Sequence, residues 1–201
     1  MKQVLVRRGN VVVEDVPAPL VGRGNILVEV AYSLISTGTE LEGVKRSGES
    51  LVRKAVEHPE KVRKLIHHLA EQGITKTLAM VRSKVDAAQP LGYSCSGVVI
   101  QVGDEVEGIR PGDLVACAGA GKANHAEIVL VPKNLVVKVP EGLSLQDAAS
   151  VALGAIAMQG VRRADPKLGE LVAVIGLGLL GQLTVQLLKI AGCRVIGFDL
   201  Q

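Results

Sequence analysis

Apolar and polar positions alternate in short runs over the first two thirds of the chain and then give way to longer, helix-spaced runs. Residues 2–6 and 11–16 read as strands separated by the turn Arg8-Gly9-Asn10. Pro17 and Pro19 cannot continue a ladder, and Gly22 to Asn25 is a second turn before a strand over 26–32. Residues 33–42 are rich in hydroxyls and read as a polar loop. From 43 to about 86 the period changes. Residues 53–56 read as helix and Pro59 restarts one, with Val62, Leu65, Ile66 and Leu69 at i, i+3, i+4, i+7; Leu78, Val81 and Val85 suggest a third. Strand patterns resume over 97–102, 114–117, 125–131 and 135–139, punctuated by Gly103-Asp104, Pro111-Gly112-Asp113, Pro132 and Pro140. Ser144 starts a helix, with Asp147 at capping-box-like spacing and Ala148, Ala149, Ala152 and Leu153 in its body.

The last thirty residues carry the sharpest pattern. An apolar run over 171–175 leads into Gly176-Leu177-Gly178-Leu179-Leu180-Gly181, an apolar helical stretch to Ala191, a second run over 194–198, and Asp199. Strand, glycine turn, helix and strand in that order form a βαβ unit with a dinucleotide fingerprint. Gly176 allows the tight turn, Gly178 clears the approach of a pyrophosphate, and Gly181 lets the helix pack close to the strand. The candidate cofactor contacts are therefore Gly176, Gly178, Leu179, Leu180 and Gly181, where a helix N-terminus favours negative charge. Asp199, 18 residues beyond Gly181, would accept the adenosine ribose hydroxyls. Its carboxylate would repel a 2′-phosphate, which favours NAD over NADP. The competing reading is a purely structural glycine turn.

Composition narrows the function classes. The chain has 201 residues, 48% hydrophobic, with two Tyr, one Phe and no Trp, so its core is aliphatic. Three aromatic residues and a net charge of +3 argue against a nucleic-acid surface. Cys95, Cys117 and Cys193 form no CxxC pair, which argues against a disulfide framework or zinc cluster. The sequence shows no signal-peptide pattern and no apolar run of spanning length, and the expectation is a cytoplasmic protein with no membrane partner. Residues 43–86 hold ten of the 23 Lys and Arg and three of the four His. That segment reads either as a solvated basic face or as a patch for an acidic substrate or partner. His67 and His68 have no third ligand at metal spacing and read as surface or groove residues.

The stretch Gly92-Tyr93-Ser94-Cys95-Ser96-Gly97-Val98-Val99-Ile100-Gln101-Val102-Gly103, followed by Gly108 and Pro111-Gly112-Asp113-Leu114-Val115, resembles the core of the medium-chain dehydrogenase/reductase superfamily. With the helical insertion and Pro90 to Ser94, it is most similar to the N-terminal half of bi-domain oxidoreductases. The resemblance implies an α/β chain: a GroES-like β-rich domain over 1–145 with a helical insertion at about 43–86, then over 146–201 the first βαβ unit of an incomplete Rossmann domain. An open dinucleotide sheet needs further strands, so the expectation is an N-terminal fragment, itself inactive, of a longer oxidoreductase that associates with copies of itself or with a second oxidoreductase domain.

The same resemblance places a zinc-ligand position on Thr37 and a His-Glu pair on Tyr93-Ser94, and this chain keeps none of those ligands. The expectation is a metal-independent enzyme with no zinc. Thr39 then matches a hydroxyl that relays the substrate proton, and Tyr93 stands near the vacated metal position as a hydrogen-bond donor or general acid, or else as a packed residue. Glu40 orients the loop, and His125, starting a strand near the cleft, is an active-site residue or a satisfied structural His. Cys95 and Cys117 read as small core residues rather than nucleophiles. The substrate expected is a small alcohol or carbonyl compound, with a sugar derivative implied by the bi-domain resemblance. The rival reading is a non-catalytic nucleotide-binding or interaction module beside a second oxidoreductase domain.

Overall fold

The computed structural model describes residues 1–48, 73, 76 and 87–200. The helices expected over 53–56, around 62–69 and around 78–85, with His67 and His68, lie outside the described residues.

Strand β1 (Lys2–Arg7) and strand β2 (Asn10–Asp15) form a hairpin whose two turn residues, Arg8 and Gly9, have φ of 50° and 81°. Two positive φ values give a turn whose twist matches that of the strands it joins. A two-residue strand, β4 (Gln89–Pro90), pairs with the other edge of β1. Strand β3 (Asn25–Ser33) opens a second, five-stranded sheet with β5 (Ser94–Val102), β6 (Leu114–Ala118), β7 (Ile128–Pro132) and β8 (Val136–Lys138). The order is β7-β3-β5-β6-β8, every pair antiparallel, and an isolated Gln3–Ala126 bridge joins β1 to the segment before β7. The core is aliphatic, as the composition requires: Ile26, Val28, Val99, Val115, Val129 and Val131 are buried together with Cys95 and Cys117.

Two departures from the sequence reading bear on the site. Residues 33–42 are not all loop, because helix α1 (Thr37–Gly48) starts inside them. His125 does not begin a strand; it lies in the bend before β7, held there by His125 N–H to Leu91 O at 2.8 Å and Val4 N–H to His125 O at 2.8 Å.

Beyond the sheet, the helix expected from Ser144 is split. Helix α2 (Leu145–Ala148) is capped by the Ser144 hydroxyl, which accepts from Asp147 N–H at 3.1 Å, and helix α3 (Val151–Ala164) follows. Two buried serines of β5 tie these helices to the sheet. Ser94 Oγ donates to Ala149 O at 2.6 Å and accepts from Ala152 N–H at 3.1 Å, and Ser96 Oγ donates to Leu145 O. Strand β9 (Leu171–Ile175), helix α4 (Leu179–Ile190) and strand β10 (Arg194–Phe198) complete the described chain, with β9 and β10 parallel. Val174, Leu188 and Cys193 form a second small core, and α4 packs on α3. The result is an α/β chain: a curled antiparallel sheet, then the βαβ unit. Among the described residues no helix is long and apolar enough to cross a membrane.

Candidate functional site

The turn between β9 and α4 is shaped by its glycines. A Cβ on Gly181 would stand 1.9 Å from Gly176 O, so any side chain there would push the helix off the turn. Gly178 caps α4 with extended backbone and supplies no side-chain oxygen to the helix amides, and a Cβ placed on it would meet nothing within 4 Å. The first in-helix bond of α4 is Gln182 N–H to Gly178 O at 2.9 Å. The amides of Leu179, Leu180 and Gly181 precede it, so they and the helix dipole are available to an anion. Gly176 N–H is bonded to Phe198 O at 2.7 Å.

Asp199 sits behind this turn. Its Oδ2 accepts from Leu177 N–H at 2.6 Å and its Oδ1 from Leu200 N–H at 2.7 Å. The Leu177 bond, and then the Leu200 bond, hold its carboxyl below the usual carboxylate range although it is exposed. A carboxylate has about four acceptor sites, so each oxygen keeps room for a ribose hydroxyl.

A cleft of about 940 Å³ lies in front of the turn. Gly176, Gly178, Leu179, Leu180 and Gly181 line it, as do Ser36, Gly38, Thr39, Glu42 and Gly43 of the α1 region and parts of α3 and β9. The opposite face of α1 lines a separate cavity of about 370 Å³, through Thr37, Glu40, Leu41 and Val44, with Ser33, Leu91 and His125. Helix periodicity causes this division, because neighbouring residues point to different sides of the helix.

Glu40 and His125 meet in that second cavity. Both are more than nine-tenths buried, and His125 Nε2 lies 2.8 Å from Glu40 Oε2. The other Glu40 oxygen accepts from Ser36 N–H at 2.8 Å, tying the residue before α1 to the helix's first turn. His125 Nδ1 is 2.8 Å from Ser33 Oγ. A carboxylate can only accept, so His125 donates from Nε2 to Glu40, and Nδ1 and Ser33 Oγ share the second bond. Gly92, at φ 93°, packs so closely that a Cβ there would lie 2.7 Å from His125 N and 3.0 Å from its ring. This network joins the end of β3, the start of α1 and the approach to β7.

The residues singled out from sequence therefore separate. Thr39 lines the larger cleft, whereas Glu40 and His125 are brought together behind α1. Tyr93, half-buried in the bend before β5, lines neither cavity; its carbonyl accepts from Gly119 N–H at 2.9 Å. Sequence reasoning missed Ser33 and Ser36, which complete the Glu40–His125 network. The hydroxyl at Ser36 before Glu40 was a helix-start signal available in the sequence. Among the described residues no group of three or more His, Cys, Asp or Glu is gathered as a metal would need.

The chain is similar to known proteins in sequence and in fold. Residues 66–141 match the alcohol dehydrogenase GroES-like domain. Over 111 residues the chain is 37% identical to D-guloside 3-dehydrogenase of Escherichia coli strain K12, a match over 54% of this chain and 31% of that protein. Its fold is similar to galactitol-1-phosphate dehydrogenase from Escherichia coli, with a TM-score of 0.75 and 20% identity over 100% of this chain and 56% of that one. It is also similar to Escherichia coli quinone oxidoreductase complexed with NADPH, with a TM-score of 0.71 and 16% identity over 98% of this chain and 52% of that one. The chain spans about half the length of these solved relatives. All three relatives are oxidoreductases by name.

Proposed function

We propose, for a chain that resembles the medium-chain dehydrogenase/reductase superfamily in sequence and fold, the part of an NAD-linked, metal-independent oxidoreductase that begins the cofactor site and carries one wall of the reaction cleft. The observation that carries this reading is the start of α4, where amides without in-helix partners open past Gly178 onto a cleft of about 940 Å³. The residues present fit a dinucleotide: a side chain on Gly178 would fill the approach, and none is there. In this reading the amides of Leu179, Leu180 and Gly181 bind the pyrophosphate and Asp199 accepts the ribose hydroxyls. When bound, the nicotinamide supplies or accepts the hydride.

Thr39, on the facing wall, donates a hydrogen bond to the oxygen of an alcohol or carbonyl substrate and passes its proton. Glu40 and His125 act one layer back, holding α1 so that Thr39 stays aimed at the cleft. Tyr93 remains a candidate through the resemblance alone. Metal independence draws support from Thr37 and Tyr93, hydroxyl side chains that hold zinc poorly. A sugar-derived substrate and a second oxidoreductase domain as partner belong to the same proposal. Complete turnover is proposed for the full-length counterpart, given the share of its relatives that this chain spans.

One observation favours the non-catalytic rival: among the described residues, Thr39 is the only proposed catalytic side chain on the cleft wall. The test is calorimetry of NADH and NADPH on this chain and on Gly178→Asp, with metal analysis of the same preparation. Saturable NADH binding that the variant loses, with NADPH weaker and no stoichiometric zinc, is the expected result. Equal binding by the variant would overturn the site, and stoichiometric zinc would overturn metal independence.

A further inference from the structure

We infer that Asp199 is a positioning residue for the glycine turn as well as a ribose acceptor, so that removing it loosens the cofactor cradle instead of opening it to a 2′-phosphate. The inference rests on the dinucleotide reading above and assigns a second role to one of its residues.

Leu177 is the middle residue of the turn, and each of its parts is held from behind. Its N–H donates to Asp199 Oδ2 at 2.6 Å, and its carbonyl accepts from Gln182 Nε2 at 3.2 Å. Its side chain covers Gly197 so closely that a Cβ there would lie 2.8 Å from Leu177 Cδ2. The neighbouring Gly176 N–H is tied to Phe198 O at 2.7 Å. Of these ties only the Asp199 bond is charge-assisted, the stronger kind. The Leu177 amide is thus committed to β10's end, and the anion is left to the amides from Gly178 onward. Leu200 N–H, at 2.7 Å from Oδ1, orients the carboxylate for both tasks.

A carboxylate that only faced the ribose could be replaced by a small residue with NADPH binding improved. A carboxylate that also holds the turn cannot, because its loss frees Leu177 and with it the spacing between Gly178 and the α4 amides. An amide at the same position separates the two effects: it removes the charge but keeps one carbonyl acceptor for Leu177 N–H.

The experiment uses the ¹⁵N-labelled 201-residue chain as wild type, Asp199→Asn and Asp199→Ala. The Leu177 amide resonance is followed by NMR, and NADH and NADPH affinities by calorimetry. In wild type the Leu177 amide should be shifted downfield and slow to exchange with water. Asp199→Ala should move it upfield, speed its exchange, and weaken NADH binding by about tenfold or more with no gain for NADPH. Asp199→Asn should keep the amide near its wild-type position and should alone shift the NADH/NADPH preference toward NADPH. An unchanged Leu177 resonance in Asp199→Ala, or tighter NADPH binding by that variant, would overturn the inference. If wild type binds neither nucleotide, the dinucleotide reading fails, and the Leu177 resonance still decides whether Asp199 holds the turn.

Discussion

Replacing Glu40 by Ala tests the network behind α1. The change removes two hydrogen bonds to one buried carboxylate, from His125 Nε2 and from Ser36 N–H, each 2.8 Å long. Bonds to a charged partner contribute about 1.5–3 kcal/mol each, so the intact pair is worth roughly 3–6 kcal/mol. The Glu40 side chain keeps 10% of its exposure, and water reaching the vacated site favours the lower end, about 3 kcal/mol. For a chain of this size, a loss of that amount lowers the melting temperature by about 6–12 °C. Urea unfolding of Glu40→Ala, His125→Ala and the double variant gives the coupling directly, expected at about 1.5–3 kcal/mol. Glu40→Gln, which keeps an acceptor for Ser36 N–H, should recover about half of the loss. A Glu40→Ala cost below about 1 kcal/mol, with coupling below about 0.5 kcal/mol, would refute the assignment.

Two other outcomes follow from the same geometry. Gly181→Ala puts a Cβ 1.9 Å from Gly176 O, so nucleotide binding should be abolished while the far-ultraviolet circular dichroism of the β domain is retained; wild-type affinity in that variant would contradict the packing described. Acid should destabilise the chain in a defined direction. Asp113 is held below its ordinary value of 3.8 by the Lys138 side chain and then by Arg110 N–H, and Glu105 below 4.5 by Arg23. Because both folded values are depressed, their contribution is complete above the ordinary values and is lost as pH falls through the lowered ones. The part of the urea midpoint that these two pairs contribute should therefore be constant from pH 7 to about 5 and decline below it, and Lys138→Met should reduce that decline. A midpoint that rises on acidification would refute the sign.

The βαβ unit was legible because its determinants are local. Strand, glycine turn, helix and closing Asp199 occupy about thirty consecutive residues, and each glycine answers a constraint set by near neighbours, as the contact between Gly181 and Gly176 illustrates. The β-rich first part was legible for a similar reason, since alternation and turn chemistry act within a few residues. Helix α1 was hidden by its composition. Ser36, Thr37 and Thr39 read as loop, and the capping signal from Glu40 is short. What sustains the helix start is a pairing with His125, 85 residues away. The early start of β5 at Ser94 was hidden likewise: Ser94 and Ser96 look like turn residues but are buried, with their hydroxyls satisfied by α2 and the segment leading to α3.

By itself, then, the sequence determined the order of elements, the aliphatic core, the glycine turn and the acid that follows the second strand, because these depend on spacing and on side-chain type. Only the tertiary structure decided which candidate residues share a site. It set Thr39 toward the cleft before α4, turned Glu40 to the other face of the same helix to meet His125, and left Tyr93 out of both cavities. It also gave Asp199 two backbone donors, one of them in the glycine turn. Hydrogen bonds of this kind join residues distant along the chain and depend on directions in space, which a one-dimensional pattern does not carry.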